Sequence, residues 1–159
     1  MYRVFLSYNT SKDEMVVVWR LQTLAAASGL HLDVPNPVQR ADWASVAKMI
    51  EQADAVIAFI TKKATTQVNK ELSYALQQSK QIIPIVESGV SIQAINELLK
   101  QANTPVFWLD PASPWAMEQQ LTQYLNKQKV SKESKSAILA LAGVAIGLLL
   151  LQDLTSQNA

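Results

Sequence analysis

The side chains that most often carry chemistry are scarce in this chain. There is no cysteine, which excludes thiolate zinc sites, iron–sulfur clusters, disulfide scaffolds and cysteine nucleophiles. A single histidine, His31, rules out a histidine-rich metal site and weakens any Ser-His-Asp arrangement. Set between Leu30 and Leu32, it reads as an outward strand residue rather than a general base, and no metal site is expected. Gly29 and Gly89 are the only glycines in residues 1–126, so the dinucleotide and P-loop fingerprints are both absent. A phospho-acceptor domain would need an acidic pair after the first strand and an aspartate after the third; Ser7-Tyr8 and Thr61-Lys62 stand there instead. Hydroxyls, carboxylates and a loop guanidinium remain. By position alone Glu71 is a dipole-compatible residue in the first turn of a helix, and Arg40 an ordinary loop cation. Trp43, Trp108 and Trp115 are most economically read as core or rim packing.

The scaffold for these residues is legible in the hydropathy pattern. At 159 residues, 49% hydrophobic and 17% charged, the chain is long and apolar enough to bury a core. Val4-Phe5-Leu6 reads as a buried strand that runs into the polar segment Ser7 to Ser11. Ser11 or Asp13 could cap a helix whose buried face uses Val17, Leu21, Leu24 and Ala25, stopped by Gly29. Leu30, Leu32 and Val34 alternate with His31 and Asp33 as a second strand, and Pro35-Asn36-Pro37 opens a loop to about Ala41. Asp42 precedes a helical stripe of Trp43, Val46, Ala47 and Ile50. Ala55 to Ile60 is continuously apolar, as a central parallel strand covered on both faces must be. Leu72, Ala75 and Leu76 mark the next helix, and Ile82 to Val86 a fourth strand, although Pro84 inside it predicts irregular hydrogen bonding. Ile92, Ile95, Leu98 and Leu99 form another helical stripe. Val106 to Leu109 is a fifth strand, and Met117, Leu121, Tyr124 and Leu125 belong to a closing helix. Alternation of this kind predicts an α/β, flavodoxin-like open parallel sheet of five strands, order 2-1-3-4-5, with helices on both faces. Ligands of such sheets bind beyond the carboxyl ends of the strands, which brings Ser7 to Ser11, Pro35 to Ala41 and Thr61 to Asn69 around any site.

Charge and hydropathy divide the chain further. The net charge of +1 argues against a dedicated nucleic-acid binder. A domain over 1–126 is followed by a basic linker, 127–135, holding Lys127, Lys129, Lys132 and Lys135. Ala137 to Leu151 is then an unbroken apolar run of 15 residues, within a candidate helix over 136–154, with a tail at 155–159. Fifteen residues cover only about 22 Å of a roughly 30 Å hydrocarbon layer, so spanning would need flanking residues and a thinned bilayer. Gly143 and Gly147 form a GxxxG pair that would let two such helices pack closely. The flanking lysines all precede the run, which would keep the domain on the cytoplasmic side of an inner membrane, with membrane lipid as a partner. A self-associating helix of a soluble cytoplasmic oligomer is the alternative. The N-terminus carries no basic region followed by a long apolar core and is not read as a signal peptide.

Three stretches resemble the Toll/interleukin-1 receptor (TIR) family, particularly its bacterial members: Val4-Phe5-Leu6-Ser7-Tyr8 with Asp13, Ala53 through Thr61, and Val68-Asn69-Lys70-Glu71-Leu72 leading to Ile82-Ile83-Pro84-Ile85. Their order and spacing suit the family over residues 2 to about 126. The resemblance implies that Glu71 matches the catalytic glutamate of TIR domains that cleave NAD+, with NAD+ as a substrate and no cofactor. Nicotinamide is a cationic leaving group that needs no general acid, and a fixed carboxylate would stabilise the oxocarbenium-like ribosyl cation or hold the ribose hydroxyls. A helix N-terminus would favour the ionised form by roughly 0.3–1 kcal/mol. Phe5, Ser7 and Asn9 would line the nucleotide pocket, with Arg40 meeting a phosphate, Thr65 retaining a hydroxyl, and Tyr74 sharing a helix face with Glu71. Pro35 to Ala41 resembles the family's BB loop, so Pro35 and Pro37 would belong to TIR–TIR contacts in a homo-oligomer. The chain departs from the enzymatic pattern at Gln67 and Val68, where an aromatic and a small polar residue often stand.

Two classes of function follow from that resemblance. One is an NAD+ glycohydrolase or cyclase activated by self-assembly, acting in antiphage defence by signalling or NAD+ depletion. The other is non-enzymatic: a TIR scaffold or adaptor, or a membrane-disrupting effector that uses the C-terminal run.

Overall fold

The computed structural model describes residues 2–8, 26, 30–35, 37–60, 66–110, 112–127, 135, 136 and 139. Strand β1 spans Tyr2–Tyr8, β2 Leu30–Asp33, β3 Ala55–Ile60, β4 Gln81–Glu87 and β5 Phe107–Leu109. Among the described helices, α1 spans Pro37–Ala41, α2 Trp43–Gln52, α3 Thr66–Gln77, α4 Asn96–Gln101 and α5 Pro114–Lys127. The five strands form one parallel sheet in the order β2-β1-β3-β4-β5, as the alternating pattern predicts. The helix placed between β1 and β2 from sequence lies outside the described residues, apart from a helical Ala26.

The pleat sorts side chains into two cores. Val4, Leu6 and Tyr8 of β1 join Ile57, Ile83, Ile85, Phe107 and the α5 residues Met117 and Leu121 on one face. Phe5 turns to the other face, against Val46 and Ile50 of α2, Val68 and Leu72 of α3, and Leu98 and Leu99 of α4. Ser7 follows Phe5 with period two, so a hydroxyl enters the second face at the carboxyl end of β1.

Pro84 does not disturb the sheet. It pairs in register with Ala58 of β3, and the β4–β5 ladder begins only at Ile85. The Ile82 carbonyl faces the β5 side, where it accepts from the Thr104 hydroxyl at 2.9 Å. By the period of two, the Pro84 nitrogen faces that side as well, at a level the ladder has not reached, so no sheet hydrogen bond is lost.

Two expectations for loops change. Pro37 to Ala41 is a one-turn helix rather than open loop, with Pro37 at the first helical position, where a missing N–H leaves no donor unpaired. Asp42 does occupy the N-cap position of α2, but its carboxylate accepts from the Ser45 hydroxyl at 2.7 Å instead of from a backbone N–H.

The C-terminal membrane helix is corrected. Among the described residues no helix is long and apolar enough to cross a membrane. Leu139, inside the apolar run, is helical and partly buried against the β1–α5 core, so that side chain covers the domain. The rest of the run, with Gly143 and Gly147, lies outside the described residues. The membrane partner, the inner-membrane tether and the transmembrane helix are therefore not carried further.

Candidate active site

Glu71 lies on α3, but in its second turn rather than its first. The helix starts at Thr66 and has no acidic residue in its opening turn. Its charge is accordingly met by side chains, not by the helix terminus. The Arg40 guanidinium approaches in a fork, Nη2 donating to Oε1 at 3.0 Å and Nε to Oε2 at 3.2 Å. The Ser7 hydroxyl donates to Oε1 at 2.8 Å, and Gln67 Nε2, one helical turn back, donates to Oε2 at 3.0 Å. Each oxygen thus accepts two hydrogen bonds, which fills the roughly four lone-pair sites of a carboxylate. The Glu71 side chain is 0% exposed, and that of Arg40 is 8% exposed.

Arg40 is held on its far side too. Its Nη2 donates to the Tyr8 carbonyl, and the guanidinium carbon lies 4.7 Å from the Tyr8 ring centroid, a cation–π contact. The Tyr8 hydroxyl donates in turn to the Pro35 carbonyl at 3.3 Å. One guanidinium therefore joins the end of β1, the segment that enters α1, and α3. Burying such a pair is favourable only when its remaining polar atoms are satisfied, and here every Glu71 acceptor site is.

The structure brings together three of the residues named from sequence, Ser7, Arg40 and Glu71. Phe5 is fully buried in the second core. Tyr74 turns its hydroxyl to Glu51 on α2, and its ring meets Trp43 edge-on with centroids 5.4 Å apart. That hydrogen bond raises the Tyr74 phenol above its ordinary 10.0, with burial and the Glu51 charge adding to it. Lys70 caps the same cluster, its ammonium 4.3 Å from the Trp43 ring centroid. Pro35 is buried, Pro37 opens α1, and Asn9 and Thr65 lie outside the described residues. Gln67 and Tyr8 also belong to the constellation, although the sequence marks Gln67 only as a departure from the enzymatic pattern and Tyr8 only as part of the Val4–Tyr8 stretch. The i, i+4 spacing of Gln67 and Glu71 on one helix was the available signal for the first; nothing local signalled the second. Among the described residues, no group of three or more His, Cys, Asp or Glu could hold a metal ion. A groove of about 380 Å³ lies elsewhere, between α3 and α4, lined by residues that include Asn69, Ser73, Glu97 and Gln101.

The TIR domain family model, TIR_2, matches residues 4–110. This chain belongs to the TIR domain family. No curated protein matches it. Among solved structures it is similar to the TIR domains of the activated Roq1 resistosome directly recognizing the pathogen effector XopQ, at 16% identity over 91% of this chain and 84% of that one, TM-score 0.46. The metal-soaked Flv1 flavodiiron core from Synechocystis sp. PCC6803 is 11% identical over 96% of this chain and 36% of that one, TM-score 0.50. A diflavin flavoprotein A3 from Nostoc sp. is 14% identical over 98% and 97% of the two chains, TM-score 0.48. The flavodiiron likeness speaks to fold alone, and none of the three transfers an activity. Membership of the family supports TIR-domain signalling or enzymatic function in general, without selecting a reaction.

Proposed function

We propose that this TIR domain acts in signalling through assembly with other TIR domains, as a scaffold or adaptor whose carboxylate site is closed in the conformation described. The observation that carries this reading is the state of Glu71: fully buried, neutralised by a forked guanidinium, and hydrogen-bonded at every acceptor site. A carboxylate so enclosed cannot touch a ribose. Val38, two residues before Arg40 on α1, is 81% exposed, which leaves an apolar side chain that a second TIR domain could cover. Concentration-dependent self-association, measured by sedimentation, tests this reading. A chain that stays monomeric at high concentration, with no TIR partner captured, overturns it.

A second reading is supported by the place of Glu71. It stands with Ser7 at the carboxyl end of β1, where open α/β sheets bind ligands, and at the position that the family resemblance makes catalytic. In this reading the chain cleaves NAD+: the bond from ribose to nicotinamide breaks, its electron pair leaves with the now neutral nicotinamide, and Glu71 stabilises the ribosyl cation. Water, losing a proton, or a group of the substrate itself then captures that cation, giving hydrolysis or cyclisation. Incubation of concentrated protein with NAD+ distinguishes the readings, since only the second releases nicotinamide.

A further inference from the structure

The sheet ends differently on its two sides. At one edge β2 carries polar and charged side chains: Asp33 pairs with Arg3 of β1 at 3.1 Å, and the His31 ring shares that carboxylate at 2.9 Å. Charges placed this way discourage a free edge from pairing with another strand. At the other edge β5 carries none. Val106 to Leu109 reads Val-Phe-Trp-Leu, and Trp108 is 42% exposed; with Val38 it makes up the exposed large hydrophobic side chains among the described residues. Its backbone is turned outward as well. The Leu109 carbonyl accepts from the Ser88 N–H at 2.8 Å, so Leu109, and Phe107 two residues before it, direct their N–H and C=O groups toward β4. By the period of two, Trp108 directs its own away from the sheet.

We propose that β5 is a self-pairing edge: two copies of this chain join antiparallel about a two-fold axis at Trp108, which continues the sheet from one copy into the other. The inference rests on the assembly reading above and names a surface for it. Self-complementarity selects a second copy as the occupant. Antiparallel strands alternate between residue pairs that exchange both backbone hydrogen bonds and pairs that exchange none. With the axis at Trp108, its outward N–H and C=O meet the same two groups of the other copy, and both bonds form. Val106 then falls opposite Asp110. The Asp110 carbonyl already accepts from the Ser113 N–H at 3.0 Å, so its N–H is the group that meets the facing Val106 carbonyl. Charge fits too. Each Asp110 faces a valine, so the two carboxylates lie at opposite ends of the ladder rather than together. The indoles meet across the axis on one face, where each covers surface that a lone chain leaves in water. Pro105 and Pro111 bound the run and lack the N–H that a longer ladder would need, so the contact closes on two copies.

The chain has no cysteine, so a single introduced thiol reads the register of the pairing. A residue on the axis lies about 5.5 Å from its own copy, Cα to Cα, within disulfide reach; one two positions along lies about 15 Å from its copy, beyond it. Full-length Trp108→Cys, oxidised with diamide, is therefore expected to run as a disulfide-linked dimer on a non-reducing gel, and Asp110→Cys as a monomer. Trp108→Lys places a charge on the exposed edge and is expected to weaken self-association at least about tenfold in sedimentation velocity, with circular dichroism confirming the fold. If Trp108→Lys does not fold, the two cysteine variants decide. No Trp108→Cys dimer, equal cross-linking at 108 and 110, or undiminished self-association of folded Trp108→Lys overturns the pairing, and a parent that still self-associates keeps the assembly reading on another surface. A parent that stays monomeric overturns the pairing as well. Capture of a different TIR domain by that monomer, lost in Trp108→Lys, would assign the edge to that partner and keep the assembly reading; no capture would remove both.

Discussion

Arg40→Met and Glu71→Gln break the same contact, yet they should differ in effect. Deleting one member of a buried ion pair typically costs about 3–5 kcal/mol, because the other charge is left in a medium that cannot solvate it. Arg40→Met imposes that full penalty. The stranded Glu71 has no exposed surface, keeps only Ser7 and Gln67 as donors, and sits on a helix packed against the sheet, so it cannot reach water. Glu71→Gln strands Arg40 instead, which retains the Tyr8 carbonyl and ring and lies at the solvent boundary, so a loss of about 1–3 kcal/mol is expected. In a chain of this size each kcal/mol moves the melting temperature by about 2–4 °C, which puts Arg40→Met roughly 6–20 °C below the parent. The double variant Arg40→Met, Glu71→Gln should lie well above the sum of the singles, because neither charge is left behind. Denaturant melts of all four chains measure this. Additive losses, or an Arg40→Met chain within about 1 kcal/mol of the parent, would refute the reasoning. One practical consequence is that Glu71→Gln is not a silent control. Any loss of turnover in that variant must be read beside its stability.

Two further outcomes follow. Phe5→Ala should destabilise the fold by about 3–5 kcal/mol in denaturant melts, as truncation of a fully buried aromatic does; a variant as stable as the parent would contradict its assignment to the core. Tyr74 has a folded pKa raised above its ordinary 10.0 by the Glu51 hydrogen bond, so its stabilising contribution is present below about pH 10 and is lost as pH rises through the folded value. The stability gap between the parent and Tyr74→Phe should therefore narrow in melts run from about pH 8 to about pH 11. A gap that widens over that range would contradict the assignment. Tyr2 is also raised, chiefly by burial, but it is common to both chains and cancels from the difference.

The sheet is legible in the sequence because its causes are local. The continuous apolar run Ala55 to Ile60 has to be covered on both faces, and alternation with helical stripes leaves few parallel topologies. Even Pro84, which read as an irregularity, is tolerated for a reason sequence cannot supply: the neighbouring strand begins pairing one residue later. The C-terminal run shows the opposite limit. Hydropathy registers only that such a run avoids water, and Leu139 packs on the domain's own core rather than in lipid. Ser7, Arg40 and Glu71 were each distinguishable in the sequence, but as separate candidates. Their joining is a tertiary event between residues 31 and 64 positions apart, and it inverts the expected character of the site. A glutamate read as lying in a first helical turn is instead a buried carboxylate with every acceptor filled. Periodicity could find the helix that carries Glu71, whereas only the folded chain could bring Arg40 to it, because ion pairing depends on distance in space and leaves no period along the sequence.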